Sequence, residues 1–286
     1  MPDHTDPDLY DAAAETFDRY TERTGAPLTE CFVEMTEMRP GMHTLDVACG
    51  SGIATRRTAD AVGPEGRTVG IDLSPGQIRV ARSRGPARIE YFVMDAMALD
   101  LPAGSFDVVT ARYPPFPRRA GALSEMARVL RPGGRLAICH GGGGGATWPL
   151  SVQMPAEQPP PAASVDGLFL SLMDSHFPNI AGRRAGNAPA STVDPREALT
   201  ADLRAAGLND IALWSFSYSS PFHSADDAWD WEVVRHSPYR MNAHRLSDAE
   251  IGGFNNAYRE RADAVLDEHG VLALGTGAMF GVATRS

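Results

Sequence analysis

The sequence predicts an α/β protein whose doubly wound, mostly parallel sheet has seven strands and is covered by helices. Between residues 43 and 140, short and unbroken apolar runs alternate with segments of helical spacing. Such alternation is typical of a parallel sheet, and unbroken apolar strands are typical of a sheet buried on both faces. Two further apolar runs, at 210–218 and 272–283, complete the seven strands.

Turn-forming residues set the predicted ends of the elements. Two N-terminal helices, 8–24 and 27–38, are expected to end at Arg39-Pro40-Gly41, because proline cannot continue a helix. Pro75 is expected in the first turn of a later helix, where its missing N–H costs little. The other predicted strands are 44–48, 67–72, 89–94, 106–111 and 136–139, and the other predicted helices are 52–62, 120–130, 195–206, 225–235 and 247–268.

Changes in composition along the chain suggest how these elements are organised. We expect a single domain over 1–286, with N-terminal helices in 1–40 and a cofactor-binding core in 43–140. Five consecutive glycines then open a stretch that is first rich in proline and later apolar. This stretch, 141–193, is expected to be a mobile lid over a site. A second helical cap segment is expected in 221–268.

Composition excludes several classes of function. The 286 residues include 26 arginines and no lysine, which excludes Schiff-base chemistry and lysine-dependent phosphate loops. A net charge of −10 disfavours nucleic acid or an anionic membrane surface as a partner. No apolar run is long enough to span a membrane, the acidic start lacks the apolar stretch of a secretory signal, and three widely spaced cysteines fit a cytoplasmic location.

One segment is built to bind a ligand. In Leu45–Gly52 a strand ends, small residues allow a tight turn, and a helix begins with free N–H groups. Asp72 follows 20 residues later at the end of the second strand, where a carboxylate can accept both hydroxyls of a ribose. Asp46 precedes the turn inside the first strand, and its charge would repel a pyrophosphate but attract an ammonium and a sulfonium. These charges favour S-adenosylmethionine over NAD.

Five segments in order carry a resemblance to a known family. They are Leu45–Gly52, Val69–Pro75, Met94–Met97, Ser105–Arg112 and Met126–Arg135. Through them the chain resembles class I S-adenosylmethionine-dependent methyltransferases, specifically the group similar to the ubiquinone/menaquinone-biosynthesis methyltransferases. The resemblance covers residues 10–140 well and the rest loosely. It implies a Rossmann-like fold and S-adenosylmethionine as cofactor, and it says almost nothing about the substrate.

The resemblance also implies roles for single residues. Ala48 and Gly50 would line the methionine part of the cofactor, Asp72 would bind the ribose, and Asp95 would accept from the adenine amino group. Tyr20, on the N-terminal helices, would be a candidate for the cofactor carboxylate, although a buried core tyrosine is an equal alternative. The full set of expected cofactor residues is Tyr20, Asp46, Ala48, Gly50, Gly52, Asp72, Leu73, Asp95, Ala96, Met97 and Arg112.

The chain departs from the family pattern in two places. Tyr113-Pro114-Pro115-Phe116-Pro117 stands where the group usually starts an apolar helix. It is similar to the Asn/Asp-Pro-Pro-Tyr box of amino-group methyltransferases, but it begins with Tyr and lies one place late. A rigid turn is the simpler interpretation. The glycine run after His140 puts the substrate contacts that are typical of the family in doubt.

Candidate residues for catalysis and for substrate binding follow the strands. Tyr113 follows strand four and His140 follows strand five, so both should lie at the carboxyl edge of the sheet, where ligands bind in open α/β folds. His140 is the first candidate for a general base, and a structural histidine is the alternative. The candidates for substrate binding are Tyr113, Trp148, His176, His223, Trp231 and His236; the histidines lack metal-ligand spacing, so no metal is expected.

We therefore expect an enzyme that transfers a methyl group from S-adenosylmethionine to a small apolar molecule. A hydroxyl acceptor is favoured, carbon and nitrogen remain open, and a role in secondary metabolism is favoured over quinone synthesis. One alternative is a cyclase, decarboxylase or rearrangement enzyme that binds the cofactor without donating methyl. Another is a non-catalytic partner subunit. A homodimer is also left open.

Overall fold

The computed structural model describes residues 7–11, 13–114, 119–140, 164–178 and 194–286. Several predictions therefore concern residues outside these ranges. They are most of the expected lid, including its glycine run and Trp148, and residues 115–117 of the proline-rich box. One helix of the expected lid segment, Val165–His176, is described.

The seven strands form one sheet in the order β3-β2-β1-β4-β5-β7-β6. The pairs β1–β2, β2–β3, β1–β4 and β4–β5 are parallel, and β5–β7 is antiparallel. This confirms the predicted doubly wound and mostly parallel, Rossmann-like sheet. The strands are β1 His43–Val47, β2 Arg67–Asp72, β3 Ile89–Val93, β4 Phe106–Arg112, β5 Leu130–His140, β6 Leu208–Phe222 and β7 Leu272–Arg285.

The helices lie close to their predicted places. Proline stands in the first turn of α4 and α7, and Ser74 and Asp194 cap these two helices with their side chains. Ser247 and Glu250 form a reciprocal capping box at the start of α10. The helices are α1 Asp8–Asp11, α2 Ala14–Glu34, α3 Ile53–Val62, α4 Pro75–Arg84, α5 Arg119–Val129, α6 Val165–His176, α7 Pro195–Ala205, α8 Ala225–Arg235, α9 Ser237–Asn242 and α10 Asp248–His269.

The strand order places the carboxyl ends that matter side by side. From β1 the chain moves outward through α3 to β2, whereas from β4 it moves the other way through α5 to β5. Because such crossovers are right-handed, α3 and α5 lie on opposite faces of the sheet. The order therefore reverses between β1 and β4, and this switch point is where open α/β sheets bind ligands.

Two predicted boundaries were wrong. In place of the expected helices 8–24 and 27–38, the structure has the short helix α1 and the long helix α2, and α2 continues through Pro27 without the expected break. Tyr20 before this proline and Leu28 and Phe32 after it are all buried, so packing of both halves outweighs the cost of the proline, roughly 3 kcal/mol. The strand expected at 136–139 begins earlier, at Leu130, and its pairing register with β4 shifts between Phe106 and Val108.

The chain divides into two compact units. The first consists of residues 1–141, 193–216 and 278–286, and the second of residues 142–192 and 217–277. In the described part of the second unit, helices α6, α8 and α10 pack on one another. Their core is aromatic, with Phe169 at its centre and ring contacts to Trp229, His236, Tyr239, Phe254 and Tyr258 at 4.9–5.9 Å.

None of the described helices is both long enough and apolar enough to cross a bilayer.

Candidate functional site

The loop after β1 has an unusual backbone. Ala48, Gly50 and Gly52 all have positive φ angles, of 56°, 55° and 81°. Glycine adopts this conformation without strain, whereas an alanine pays roughly 1–2 kcal/mol. The alternation turns the chain sharply from β1 into α3 and leaves only small side chains facing outward. A ligand can therefore approach both the loop backbone and the first N–H groups of α3.

Asp72 ties this loop to the neighbouring strand. Its Oδ2 accepts a hydrogen bond from the Gly50 N–H at 2.8 Å, and its Oδ1 accepts one from the Ser74 N–H at 2.9 Å. Burial raises the pKa of Asp72. Each carboxylate oxygen has a further lone pair, so Asp72 can still accept the two hydroxyls of a ribose. Leu73 beside it is 39% exposed and offers an apolar surface at the same edge.

The short helix α1 reaches the same region. The Asp11 carboxylate accepts hydrogen bonds from the Ser74 hydroxyl and, at 2.9 Å, from the Gly76 N–H at the start of α4. Its negative charge also contributes to the raised pKa of Asp72. Sequence reasoning missed Asp11, because nothing in residues 7–11 indicates a partner more than 60 positions away.

Asp46 lies beneath the loop. It is only 1% exposed, and each of its oxygens accepts one hydroxyl, from Thr55 at 2.6 Å and from Thr110 at 2.9 Å. Burial raises the pKa of Asp46, whereas the two hydrogen bonds and the nearby Arg112 act in the opposite direction. A buried carboxylate of this kind favours a bound cation nearby. The two threonines are functional candidates that the sequence did not single out.

An ion pair of Arg128 and Glu125, called here the Arg128–Glu125 clamp, holds the segment that follows Asp95. Asp95 Oδ1 accepts the Met97 N–H at 2.8 Å, which shapes the turn after β3. The Arg128 guanidinium donates to the carbonyl oxygens of Leu99 and Leu101, at 2.8 and 2.9 Å. Glu125 completes the clamp by bonding both Arg128 and the Leu99 N–H. Asp95 is exposed and Ala96 and Met97 are half-buried, so all three can meet a ligand.

Tyr20 and Arg112 belong to the packing of α2 against the sheet. Tyr20 is 2% exposed. Arg112, the last residue of β4, donates from Nη1 to the Thr29 hydroxyl on α2 at 2.6 Å. Arg112 therefore lies between the cofactor loop and α2, and the cofactor contact expected of Tyr20 stays a prediction.

Tyr113 has a strained backbone at the end of β4. Its φ is 52°, which is rare for a bulky residue, and its side chain is 36% exposed. The Tyr113 N–H donates to the Cys139 carbonyl at 2.8 Å, so Tyr113 lies beside the end of β5. His140 is the last residue of β5 and pairs with Met279 of β7. The backbone thus brings Tyr113 and His140 to neighbouring strand ends.

The other expected substrate residues lie in the second unit. Trp231 and His236 are buried; the His236 ring stacks on Phe169 at 4.9 Å, and its Nε2 lies 2.6 Å from Oε2 of the buried Glu232. His176 and His223 are exposed. Substrate binding by these residues stays a prediction. Among the residues with described positions, no group of three His, Cys, Asp or Glu side chains is placed to hold a metal ion.

Comparison with known proteins identifies the family. A family model described as a methyltransferase domain matches residues 44–134. The chain is 31% identical over 235 residues to nocamycin O-methyltransferase of Saccharothrix syringae, and the match covers 78% of this chain and 77% of that protein. The chain belongs to the class I S-adenosylmethionine-dependent methyltransferases. The resemblance inferred from the five segments is confirmed.

Other methyltransferases match about half of this chain. Demethylmenaquinone methyltransferase of Symbiobacterium thermophilum is 39% identical over 146 residues, and aklanonic acid methyltransferase of Streptomyces sp. (strain C5) is 36% identical over 135. These matches cover 46% and 45% of this chain, but only 57% and 61% of those proteins. A solved structure of phosphoethanolamine N-methyltransferase 2 from Haemonchus contortus has the same fold, with a TM-score of 0.56 at 17% identity over 96% of this chain and 57% of that one.

S-adenosylmethionine is the cofactor of this methyltransferase, and the described residues fit it. Asp72 keeps acceptor capacity for ribose hydroxyls, the loop from Ala48 to Gly52 is free of bulky side chains, and Asp46 supplies negative charge beneath it.

We expect Asp72→Ala to weaken cofactor binding by roughly 1.5–3 kcal/mol, because hydrogen bonds to a charged group are lost. Calorimetric titration with S-adenosylhomocysteine measures this. Asp107→Ala is the matched control, since Asp107 also accepts a backbone N–H, from His43 at 2.8 Å, but at the opposite edge of the sheet. The control should lose stability and keep its affinity; equal affinity losses in both variants would contradict the role of Asp72.

We also expect Asp46→Asn to gain stability relative to the wild type as pH rises. In the folded protein the pKa of Asp46 is raised above its ordinary value of 3.8. Protonated Asp46 therefore contributes to the stability of the wild type at pH values below 3.8, and this stability is lost as pH rises through the folded-state pKa. Asparagine does not titrate. Thermal unfolding of both cofactor-free proteins, from about pH 4 to about pH 8, gives the difference. A difference that stays constant with pH would be inconsistent with a buried, titrating Asp46.

Proposed function

We propose that this methyltransferase acts on a hydroxyl of a small, mostly apolar molecule, such as a polyketide or terpenoid, in secondary metabolism. The relative that matches along most of the chain is named an O-methyltransferase, which supports an oxygen acceptor. The observation that carries the proposal is Tyr113, a strained and partly exposed aromatic residue beside the end of β5. Strained backbone of this kind is concentrated at functional sites.

The chemistry requires alignment and a destination for one proton. When bound, S-adenosylmethionine supplies a methyl carbon on a positively charged sulfur that leaves as a neutral thioether. The acceptor oxygen forms the new C–O bond as the C–S bond breaks, and the hydroxyl proton goes to a base. We assign that base to His140, because β5 ends there beside Tyr113. A histidine side chain is suited to this step because an imidazole can accept a proton as a general base.

Tyr113 is assigned to the acceptor. Its ring stands at the end of β4, directly after Arg112, whose charge acts on Asp46 beneath the cofactor loop. An exposed aromatic ring at this position can orient a flat, apolar acceptor against the methyl group. With this assignment, the strained backbone of Tyr113 serves to place its ring beside the acceptor.

The proposal also covers where the protein is located in the cell and whether it forms a homodimer. All three cysteines are free, which supports a cytoplasmic location. A homodimer is tested by light scattering of the purified protein.

The proposed reaction predicts that His140→Ala lowers the turnover rate by about 10²–10⁴, the usual contribution of a positioned base. Candidate phenols, alcohols and carboxylic acids are incubated with S-adenosylmethionine, and mass spectrometry detects one added methyl and released S-adenosylhomocysteine. Cofactor affinity of the variant should stay unchanged. A methylated carbon, or product without S-adenosylhomocysteine, would refute the hydroxyl assignment, and full activity of the variant would refute the base.

Tyr113→Gly should lower methyl transfer by at least about tenfold, or ~1.4 kcal/mol, while stability changes little because backbone strain is relieved. Asp210→Gly is the matched control. Asp210 also has a positive φ, of 49°, but lies on β6 and is exposed. The control should retain full activity. If Tyr113→Gly is as active as the wild type, the ring does not act on the acceptor.

A further inference from the structure

A row of side chains crosses the sheet beneath the cofactor loop. In the register of four neighbouring strands, Thr110 of β4 stands beside Asp46 of β1, Asp46 beside Gly70 of β2, and Gly70 beside Tyr91 of β3. Residues that are paired in register point to the same face of a sheet. The four positions therefore share one face, and Asp46 bonds Thr55 of α3 on that face.

Gly70 leaves the space that Tyr91 fills. A Cβ at residue 70 would lie 2.8 Å from two carbons of the Tyr91 ring, a distance that real contacts do not show. The missing side chain thus lets the ring extend from the edge strand β3 across β2. Tyr91 is only 4% exposed in this position.

The far end of the ring reaches the cofactor loop. A Cβ at Gly52 would lie 2.5 Å from the Tyr91 hydroxyl, and Gly52 is the residue with φ of 81° at which α3 begins. Tyr91 also belongs to the buried cluster that contains Cys49 of the same loop. A third glycine, Gly85 at the end of α4, also borders the Tyr91 ring, since a Cβ there would lie 3.0 Å from a ring carbon.

These contacts have one consequence for the cofactor. The ring supports from beneath the last turn of the loop whose Gly50 N–H is bonded to Asp72. Without the ring, the loop would have more conformations, and the cofactor would have to order it on binding. We propose that Tyr91 is a positioning residue that holds the cofactor loop in its binding conformation.

The test compares Tyr91→Leu with Tyr91→Phe. Leucine removes the ring, so we expect the Kd for S-adenosylhomocysteine to rise about tenfold, as in sites that lose their supporting shell. Hydrogen exchange of the amides of residues 48–55 should become faster. Phenylalanine keeps the ring and should restore both values to within about twofold of the wild type.

Phe106→Leu is the matched control. Phe106 is a fully buried aromatic residue at the start of β4, at the edge of the sheet opposite to the loop. It should lower the unfolding temperature and leave the Kd and the exchange of residues 48–55 unchanged. If Tyr91→Leu gives the same pattern as this control, Tyr91 is only a core residue and the proposal is wrong.

A glycine variant keeps the proposal testable if Tyr91→Leu does not fold. Gly85→Ala pushes a methyl group against the far edge of the ring and leaves Tyr91 itself intact. We expect a several-fold rise in the Kd, whereas Gly252→Ala, whose methyl group would meet open space, should leave it unchanged. An unchanged Kd in Gly85→Ala would overturn the proposal.

Discussion

The carboxylate of Asp72 is the contact on which the cofactor site depends. One oxygen holds the Gly50 N–H of the loop after β1, and the other holds the Ser74 N–H at the start of α4. Strands β1 and β2 of the first unit are thereby joined at their carboxyl ends, next to the point between β1 and β4 where the sheet order reverses. The same group is predicted to accept the ribose hydroxyls, so one residue would both shape the site and bind in it. Its burial carries a cost, visible in a raised pKa, and hydrogen bonds to backbone amides offset that cost.

Charge in this site is arranged for a cation. Asp46 is buried, Asp72 is half-buried, and burial raises the pKa of both, which means that the folded protein disfavours their charged forms. Threonine hydroxyls on either side of Asp46 compensate in part. A sulfonium and an ammonium bound near these carboxylates would favour their charged forms. A pyrophosphate would disfavour them further, which is the physical reason to expect S-adenosylmethionine here and not a dinucleotide.

The second unit contains a buried polar pair within an aromatic core. Its helices enclose an aromatic core around Phe169, and within this core His236 pairs with Glu232 at 2.6 Å. A buried pair of this kind is maintained only where geometry is good, since removing one partner leaves an uncompensated polar group. The sequence predicts Trp231 and His236 as substrate-binding residues. Both are buried in this core, and their role in substrate binding stays a prediction.

The sequence by itself determined the sheet, the cofactor and the order of the motifs, because these depend on local patterns: apolar runs, glycine turns and acids at strand ends. It could not determine which residues support the site. Asp11 meets its partners 63 and 65 positions away, Arg128 meets carbonyl oxygens 27 and 29 positions away, and Tyr91 packs beside Gly70 of another strand. The sequence also predicts a break between residues 24 and 27, where tertiary packing of both halves keeps α2 continuous through Pro27. Strand pairing in the folded sheet places Gly70 beside Tyr91. The structure is therefore needed to show that the missing side chain at residue 70 leaves room for the Tyr91 ring.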